Sequence, residues 1–581
     1  MAQRVLFIVY DNGSYDHVFP MGVGAIAAIL ERDGHQFEVW NQDMTHCSDE
    51  SLGTYLDEKK FDVVIVSLIA GYYQYQKMKS LSKVINNSKN RPLYVLGGYG
   101  PTPEPEFFLK KAKCDVVCMG EGEVTISELM KALDNKETLE KVPGVAWLDS
   151  NGKLKYNPRA PLVHDLDSLP MTPYHKFPMH YYRMLRMPKV KATDFVFPMM
   201  SARGCSFKCT FCYRMDPGYR MRSPESLLDE IEMLHKDYGI TYIAFQDDLL
   251  MSSVAHTEAV CKEFLKRNLP VRWNCNGRLN YCSEELLQLM KDAGCRFINY
   301  GIESMDQKVL NNMKKGLRPE MIIKGVEDTL KVGISPGLNF IFGNKGDNKT
   351  TIKKTVDFLL KYDDFSQKRT LRPVTPYPGS PLYYDAIEMG LLDKENPAED
   401  FYENKHLNSD LISCNFTELT DDEYYECLRW ANSTLMKNYF DKQKDSTLAQ
   451  IDYLYKEKDV SFRGFRHNVG SGQVGDKFNK KGKILDLKGN ELNFNKEHNK
   501  RKETDNRGNQ VLDGMTNWES SATSDGERFS SKSENPNAEK GLESYNIYLK
   551  RKAARAEAKK RSKQKKIVQP EQDSTQHTNW H

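Results

Sequence analysis

The strongest constraint on this fold is a rhythm that the chain repeats. From Arg4 to about Leu148, and again from Phe195 to Val374, short apolar runs of strand length alternate with longer stretches of helical periodicity. Such alternation commits a chain to parallel strands, because a helix must carry each strand's end back to the same edge of the sheet. Between the two runs the chain is rich in proline and aromatics, including Asp167-Ser168-Leu169-Pro170 and Pro173-Tyr174, and each proline blocks helix and restricts the residue before it. The expected fold class is α/β. An N-terminal Rossmann- or flavodoxin-like domain (1–148) and a linker strap (149–190) precede a partial (β/α)6 TIM-type barrel (191–390). A helical extension (391–460) and a disordered, partly basic tail (461–581) follow.

In the first domain the expected strands are Val5–Tyr10, Gln36–Trp40, Asp62–Leu68, Leu93–Leu96 and Val116–Met119, with Gly22–Asp33 a helix ended by Gly34. Sheets of this kind bind ligands outside the carboxyl ends of their strands. Those ends carry Asp11-Asn12-Gly13, Ser67 with Gly71, Gly97-Gly98-Tyr99-Gly100, and Gly120-Glu121-Gly122-Glu123 leading into a helix. Any one of these glycine turns is what every α/β fold needs; together they suit a flat or phosphorylated ligand that approaches the backbone.

In the second domain the expected strands are Phe195–Met200, Tyr242–Phe245, Val271–Asn274, Phe297–Tyr300, Gly337–Phe342 and Thr370–Val374. The helices between them are Pro224–Tyr238, Ser253–Arg267, Ser283–Ala293, Pro319–Val332 and Thr350–Leu360. Six strands make a partial barrel, open enough for a large substrate, with its chemistry at the strands' carboxyl ends. Polar groups gather there: Gln246-Asp247-Asp248, Asn276 with Arg278, Gly301-Ile302-Glu303-Ser304, and Gly343-Asn344-Lys345-Gly346-Asp347. A lone acid at a strand end is more often a helix cap or a solvated charge. Recurrence of Asp247, Glu303 and Asp347 at successive mouths argues for function.

The first strand of that barrel delivers Ser-Ala-Arg-Gly-Cys-Ser-Phe-Lys-Cys-Thr-Phe-Cys-Tyr, with cysteines at 205, 209 and 212. Three thiolates on one short loop hold three irons of a [4Fe-4S] cube and leave the fourth without a protein ligand. Buried apolar thiols have no reason to gather on a polar loop. A zinc knuckle wants a fourth Cys or His at comparable spacing, and the next histidine, His235, falls in a helical stretch well beyond. Disulfides suit a secreted chain, and no secretion signal is evident.

This C-x3-C-x2-C pattern, with the strand-end residues around it, resembles the class B radical S-adenosylmethionine (SAM) family with an N-terminal cobalamin-binding domain. Its relatives include the anaerobic magnesium-protoporphyrin monomethyl ester cyclases and B12-dependent methyltransferases, and the resemblance runs from Val5 to about Tyr383. It implies a cube on Cys205, Cys209 and Cys212, with the methionine end of SAM on the open iron and cleavage to a 5′-deoxyadenosyl radical. It further implies that Asp247 and Asp248 meet the SAM amino group and that Asn276 and Arg278 line the cleft. Glu303 and Ser304 would take the ribose, and Gly343, Asp347 and Phe211 the adenine. Ser67, Gly97, Gly98, Gly120 and Glu121 would cradle the corrinoid. No side chain is assigned a catalytic role. Two departures stand out: no Asp-x-His-x-x-Gly marks His35 or His46 as a cobalt ligand, and Tyr99-Gly100 stands where relatives often have Pro-His.

The implied activity is methyl transfer to, or oxidative cyclisation at, an unactivated carbon of a small molecule, large or tetrapyrrole-like in size. A one-electron donor such as flavodoxin or ferredoxin completes it. RNA methylthiotransfer is an alternative that would need a second cluster, for which Cys47, Cys114 and Cys118 are the thiols available; a non-catalytic corrinoid- or partner-binding protein is another. The charges nearly cancel, 83 Lys+Arg against 80 Asp+Glu, so no global field argues for nucleic acid. A contact between nucleic acid and the basic stretch Lys550–Lys566 is the lesser reading beside a solvated tail. Scattered cysteines and no apolar run of bilayer length lead to the expectation of a cytoplasmic protein.

Overall fold

A computed structural model describes residues 2–13, 17–191, 193–216, 218–456 and 550. Apart from Lys550, the tail expected over 461–581 lies outside the described residues. Within them the chain forms two compact units, one of residues up to 364 with 370–432, the other of residues 365–369 with 433–456. No described helix is long and apolar enough to cross a membrane.

The first sheet contains β1 (Arg4–Val9), β2 (Gln36–Asn41), β3 (Val63–Ser67), β4 (Leu93–Gly97) and β5 (Val116–Cys118), all parallel in the order β2-β1-β3-β4-β5. The apolar runs of β1 and β3 are buried nearly end to end, as befits interior strands of a parallel sheet. The order reverses at β1, so a crevice opens between the carboxyl ends of β1 and β3. The sheet does not stop at Leu148, however. An antiparallel hairpin, β6 (Val145–Leu148) and β7 (Leu154–Tyr156), extends it beside β5. Its turn is set by Asp149, whose carboxylate accepts the N–H groups of Asn151 and Lys153, and by Gly152 at φ +73°. The strap expected from residue 149 therefore opens as an edge strand.

The second sheet follows. After β8 (Val196–Met199) come a short antiparallel pair, β9 (Ala202–Gly204) and β10 (Tyr219–Met221), then β11 (Tyr242–Phe245), β12 (Arg272–Gly277), β13 (Cys295–Glu303), β14 (Ser335–Phe342) and β15 (Arg372–Pro373). Six of these form one parallel sheet, β15-β14-β13-β12-β11-β8, the partial barrel that the alternation predicts. Its helices obey local rules: Pro224–Tyr238 starts on the Ser223 hydroxyl with proline at its first position and ends at Gly239 in the left-handed region. On β12, Trp273 stacks on Phe264 of the helix Val254–Arg267, with ring centroids 5.8 Å apart, which marks the helix-covered face. Asn274 and Asn276 alternate with it and face the other way.

Residues beyond the barrel pack back on the first layer. Val374, Leu382, Tyr383, Phe401, Tyr402 and Phe416 belong to the same buried cluster as Leu6, Tyr75 and Phe108. The expected boundary at 390/391 does not divide the packing there. The helix expected over Asp421–Phe440 runs from Asp421 to Tyr455. In the second unit, the Lys368 ammonium lies 5.3 Å from the centre of the Phe440 ring.

Candidate active site

The three cysteines occupy the loop between β9 and β10. Its neck is pinched by glycine: a Cβ at Gly204, which has φ +82°, would lie 2.4 Å from the Gly218 carbonyl oxygen. Cys209 is buried, Cys205 half-buried and Cys212 exposed, and all three are free thiols. The loop is stitched to its surroundings through backbone bonds. The Thr210 N–H donates to the Met313 carbonyl (3.1 Å), the Leu382 N–H donates to that of Thr210 (2.9 Å), and the Arg214 guanidinium donates to that of Phe207 (2.8 Å). Among the described residues no three His, Cys, Asp or Glu side chains converge where a single ion would sit. A cube asks instead for three thiolates each on its own iron, and this donor set fits it.

The acids expected at the strand mouths are engaged inside the protein. Asp247 accepts the N–H groups of Ser201 (2.7 Å) and Ala202 (2.5 Å) and the Ser201 hydroxyl (2.9 Å), so it fixes the turn from β8 into the cysteine hairpin. Burial pushes its carboxyl up to about 7 against these bonds, which favour the carboxylate. Asp347 closes its own loop, accepting from the N–H groups of Gly343 and Asn344 (3.0 Å each) and the Thr351 hydroxyl (2.8 Å), and burial lifts it to about 6. At Gly343 a Cβ would fall on the Tyr424 hydroxyl, which donates to the Phe342 carbonyl. Ser304 is buried, and its hydroxyl accepts the Asp306 N–H (3.1 Å). Phe211 packs against the first layer's buried cluster. Asp248 and Gln246 remain exposed at the end of β11, with Asp248 accepting the Gly204 N–H.

Glu303 and Arg278 differ most from expectation. Glu303 lies within β13, where the register against β14 slips, and it takes φ +73°. Its carboxylate forms a buried ion pair with Lys315 (3.0 Å), and a Cβ at Gly301 would sit 2.6 Å from Glu303 Oε1. Arg278 is buried against the ring of Phe207 and donates to the Lys315 carbonyl. Lys315 had no motif to announce it.

A ladder of asparagines crosses the sheet's open face. Asn276 Nδ2 donates to the Asp247 carbonyl (2.8 Å), Asn299 Nδ2 donates to Asn276 Oδ1 (3.0 Å), and Asn339 Nδ2 donates to Asn299 Oδ1 (2.6 Å) and to the Tyr300 carbonyl (3.2 Å). Backbone carbonyls at both ends accept only, so the direction of every amide is set. Asparagine at alternating positions of neighbouring strands was the sequence signal for it.

At the first sheet, Gly98 (φ +97°) would place a Cβ 2.6 Å from the Leu68 carbonyl, so only glycine closes this turn beside Ser67 and Gly97. Gly120 (φ +88°) donates its N–H to the Thr102 hydroxyl (3.3 Å). The close backbone approach between the carboxyl ends of β3 and β4, with the glycine turn after β5, suits a flat cofactor such as a corrinoid. Glu121 ties this end of the sheet to the cysteine hairpin. It pairs with Arg220 (2.9 Å) and Arg203 (3.2 Å), which face each other across β9 and β10, while Glu123 holds Arg203 as well (2.6 Å). Burial alone would raise the Glu121 carboxyl, yet the two guanidiniums hold it below its usual range. Close by, Tyr99 meets Tyr213 edge to face at 5.9 Å. His35 accepts the Gln3 N–H at the sheet's amino edge, and His46 pairs with Asp11 (3.0 Å). Cys114 and Cys118 are core residues, burial pushing the Cys118 thiol up to about 12.

Comparison with known proteins agrees with this geometry. Residues 199–359 match the family model of the Radical SAM superfamily, and residues 12–130 match that of the B12 binding domain. An uncharacterized methyltransferase of Pyrococcus horikoshii is 28% identical over 407 residues, spanning 68% of this chain and 85% of that protein. The anaerobic magnesium-protoporphyrin IX monomethyl ester cyclase of Rubrivivax gelatinosus is 26% identical over 411 residues, 68% of this chain and 72% of that one. The structure of the radical SAM methyltransferase TsrM from Kitasatospora setae, with cobalamin and a [4Fe-4S] cluster bound, superimposes with a TM-score of 0.60 at 18% identity, over 75% of this chain and 89% of that chain, and so supports the fold. The chain is thus a radical SAM iron–sulfur enzyme. It belongs, more narrowly, to the radical SAM enzymes that carry a B12-binding domain, and its cofactors are a [4Fe-4S] cluster, SAM and cobalamin.

Proposed function

We propose that the chain uses these cofactors to act at an unactivated carbon of a small-molecule substrate, by methyl transfer or oxidative cyclisation. The observation that carries this reading is the meeting of the two cofactor loops: Tyr213, directly after Cys212, lies against Tyr99 of the first sheet, and Glu121 is tied to both arginines of the cysteine hairpin. Cys205, Cys209 and Cys212 would hold the cube, and the turns of Ser67, Gly97, Gly98 and Gly120 would take the corrinoid. When bound, the cofactors supply an adenosyl radical and a methyl or one-electron carrier. The chain's own side chains supply order. Asp248 and Gln246, exposed beside the loop, suit the SAM ammonium, while Asp247 holds the hairpin's base and the asparagine ladder presents fixed amides to the open face. An external one-electron donor of flavodoxin or ferredoxin type and a reducing compartment, the cytoplasm, complete the reading.

The test is anaerobic reconstitution with iron, sulfide and hydroxocobalamin. About four irons per chain, a corrinoid band that survives desalting, and 5′-deoxyadenosine released from SAM are the expected results. Cys205→Ala should abolish that release and leave the far-ultraviolet circular dichroism unchanged. Preserved cleavage in the variant overturns the ligand assignment, and about eight irons would point to a second cluster and to methylthiotransfer.

A further inference from the structure

We propose that Arg278 sets the reduction potential of the cube held by Cys205, Cys209 and Cys212, with Lys315 and Glu303 as a second, self-compensated pair packed against the same loop. The inference rests on the reading of those cysteines as cube ligands. Each gap between the cysteines carries a phenylalanine, and each phenylalanine is covered by a buried cation. The Arg278 guanidinium carbon lies 3.5 Å from the centre of the Phe207 ring, and the Lys315 ammonium lies 5.5 Å from that of Phe211. Arg278 and Lys315 are only 5% and 6% exposed.

The two cations differ in their anions. Lys315 has the Glu303 carboxylate at 3.0 Å. Arg278 has no carboxylate partner among the described residues: it donates to the Lys315 carbonyl, and its Nε is buried with no acceptor. Burying an unpaired charge is strongly unfavourable, so a guanidinium in this setting calls for an anion nearby. A cube whose core is doubly positive, held by three thiolates, is a net anion and becomes more negative on accepting an electron. A cation held beside it favours the reduced form, and arginine keeps its charge at every working pH. Because the Thr210 N–H donates to the Met313 carbonyl, the turn that carries Lys315 is tied to the loop.

The experiment is a reductive titration of the reconstituted holoenzyme with dithionite and mediators, followed by electron paramagnetic resonance in the absence of SAM. Arg278→Gln should move the one-electron equilibrium at least about tenfold toward the oxidised cube, about 59 mV to lower potential. Arg278→Lys, which keeps the charge and loses the planar stack, should stay near the wild type. Glu303→Gln uncovers Lys315 and should shift the equilibrium about threefold the other way. An unchanged potential in Arg278→Gln, or a Glu303→Gln shift of the same sign as that of Arg278→Gln, overturns the proposal. Should Arg278→Gln fail to retain the cube, Arg278→Met takes its place in the same titration, with the same expected shift and the same overturning result. A wild-type protein that binds no cube at all would instead defeat the cluster reading on which this inference stands.

Discussion

The first and second sheets grow from the same alternation of strand and helix, yet they present different surfaces at their carboxyl ends. In the first, strands such as Val63–Ser67 are apolar on both faces, and the ends that matter are backbone: Gly98 brings its main chain close to that of Leu68, and Gly97 lies beside Cys118. In the second, β12 and β14 alternate, with Trp273 and Phe340 toward helices and Asn276 and Asn339 toward the open side. A sheet covered on both faces offers a ligand only its rim, whereas a half-open one offers an entire polar face. On the proposed function, corrinoid binding at the first sheet would rely on shape, and SAM and substrate binding at the second on placed side chains.

Substitutions sharpen that contrast, beginning with the join between the sheets. Glu121→Ala leaves Arg203 and Arg220 facing each other with only Glu123 between them, and should lower unfolding free energy by about 4 kcal/mol in a denaturant titration. A loss below about 1 kcal/mol would mean that the clamp is ordinary surface pairing. Gly98→Ala forces a side chain onto the Leu68 carbonyl and should cost about 2 kcal/mol, with weaker corrinoid retention after desalting. If the first sheet binds by shape, that retention must fall while iron content holds.

Asn299→Leu breaks the ladder in the middle, leaving Asn276 Oδ1 without its donor and Asn339 Nδ2 with the Tyr300 carbonyl alone. About 1 kcal/mol of stability should be lost, with corrinoid retention untouched. The remaining effect is one of pH. The folded-state Asp347 carboxyl, lifted to about 6 from an ordinary 3.8, favours the fold fully below pH about 4, and that contribution is lost as pH rises through about 6. Asp347→Asn should flatten this part of the stability profile in thermal melts; an unchanged slope would show that another group carries it.

Much of this architecture was legible in advance because it is local. Pro224–Tyr238, Tyr242–Phe245 and Pro319–Val332 coincide with their expected spans, since apolar period, proline entry and glycine exit act within one turn. The hairpin at Asn151-Gly152 carried a recognisable turn signal within a segment whose prolines dominated the reading. Partners of the strand-end acids were not legible. Asp247, Glu303 and Asp347 have the residue type and position of ligand-binding groups, but their hydrogen bonds and ion pairs engage Ser201, Lys315 and Thr351.

Sequence alone determined the two parallel layers, the loop with three thiols and the class of chemistry those thiols allow, because spacing along a chain dictates which donors share one short turn. Only the tertiary structure decided that Glu121 would clasp Arg203 and Arg220, that three asparagines would align across separate strands, and that Arg278 would lie against Phe207 with no carboxylate partner among the described residues. The physical reason is that a charge buried away from water takes its energy from whichever groups the fold brings within a few ångströms, and those groups are set by packing rather than by distance along the chain.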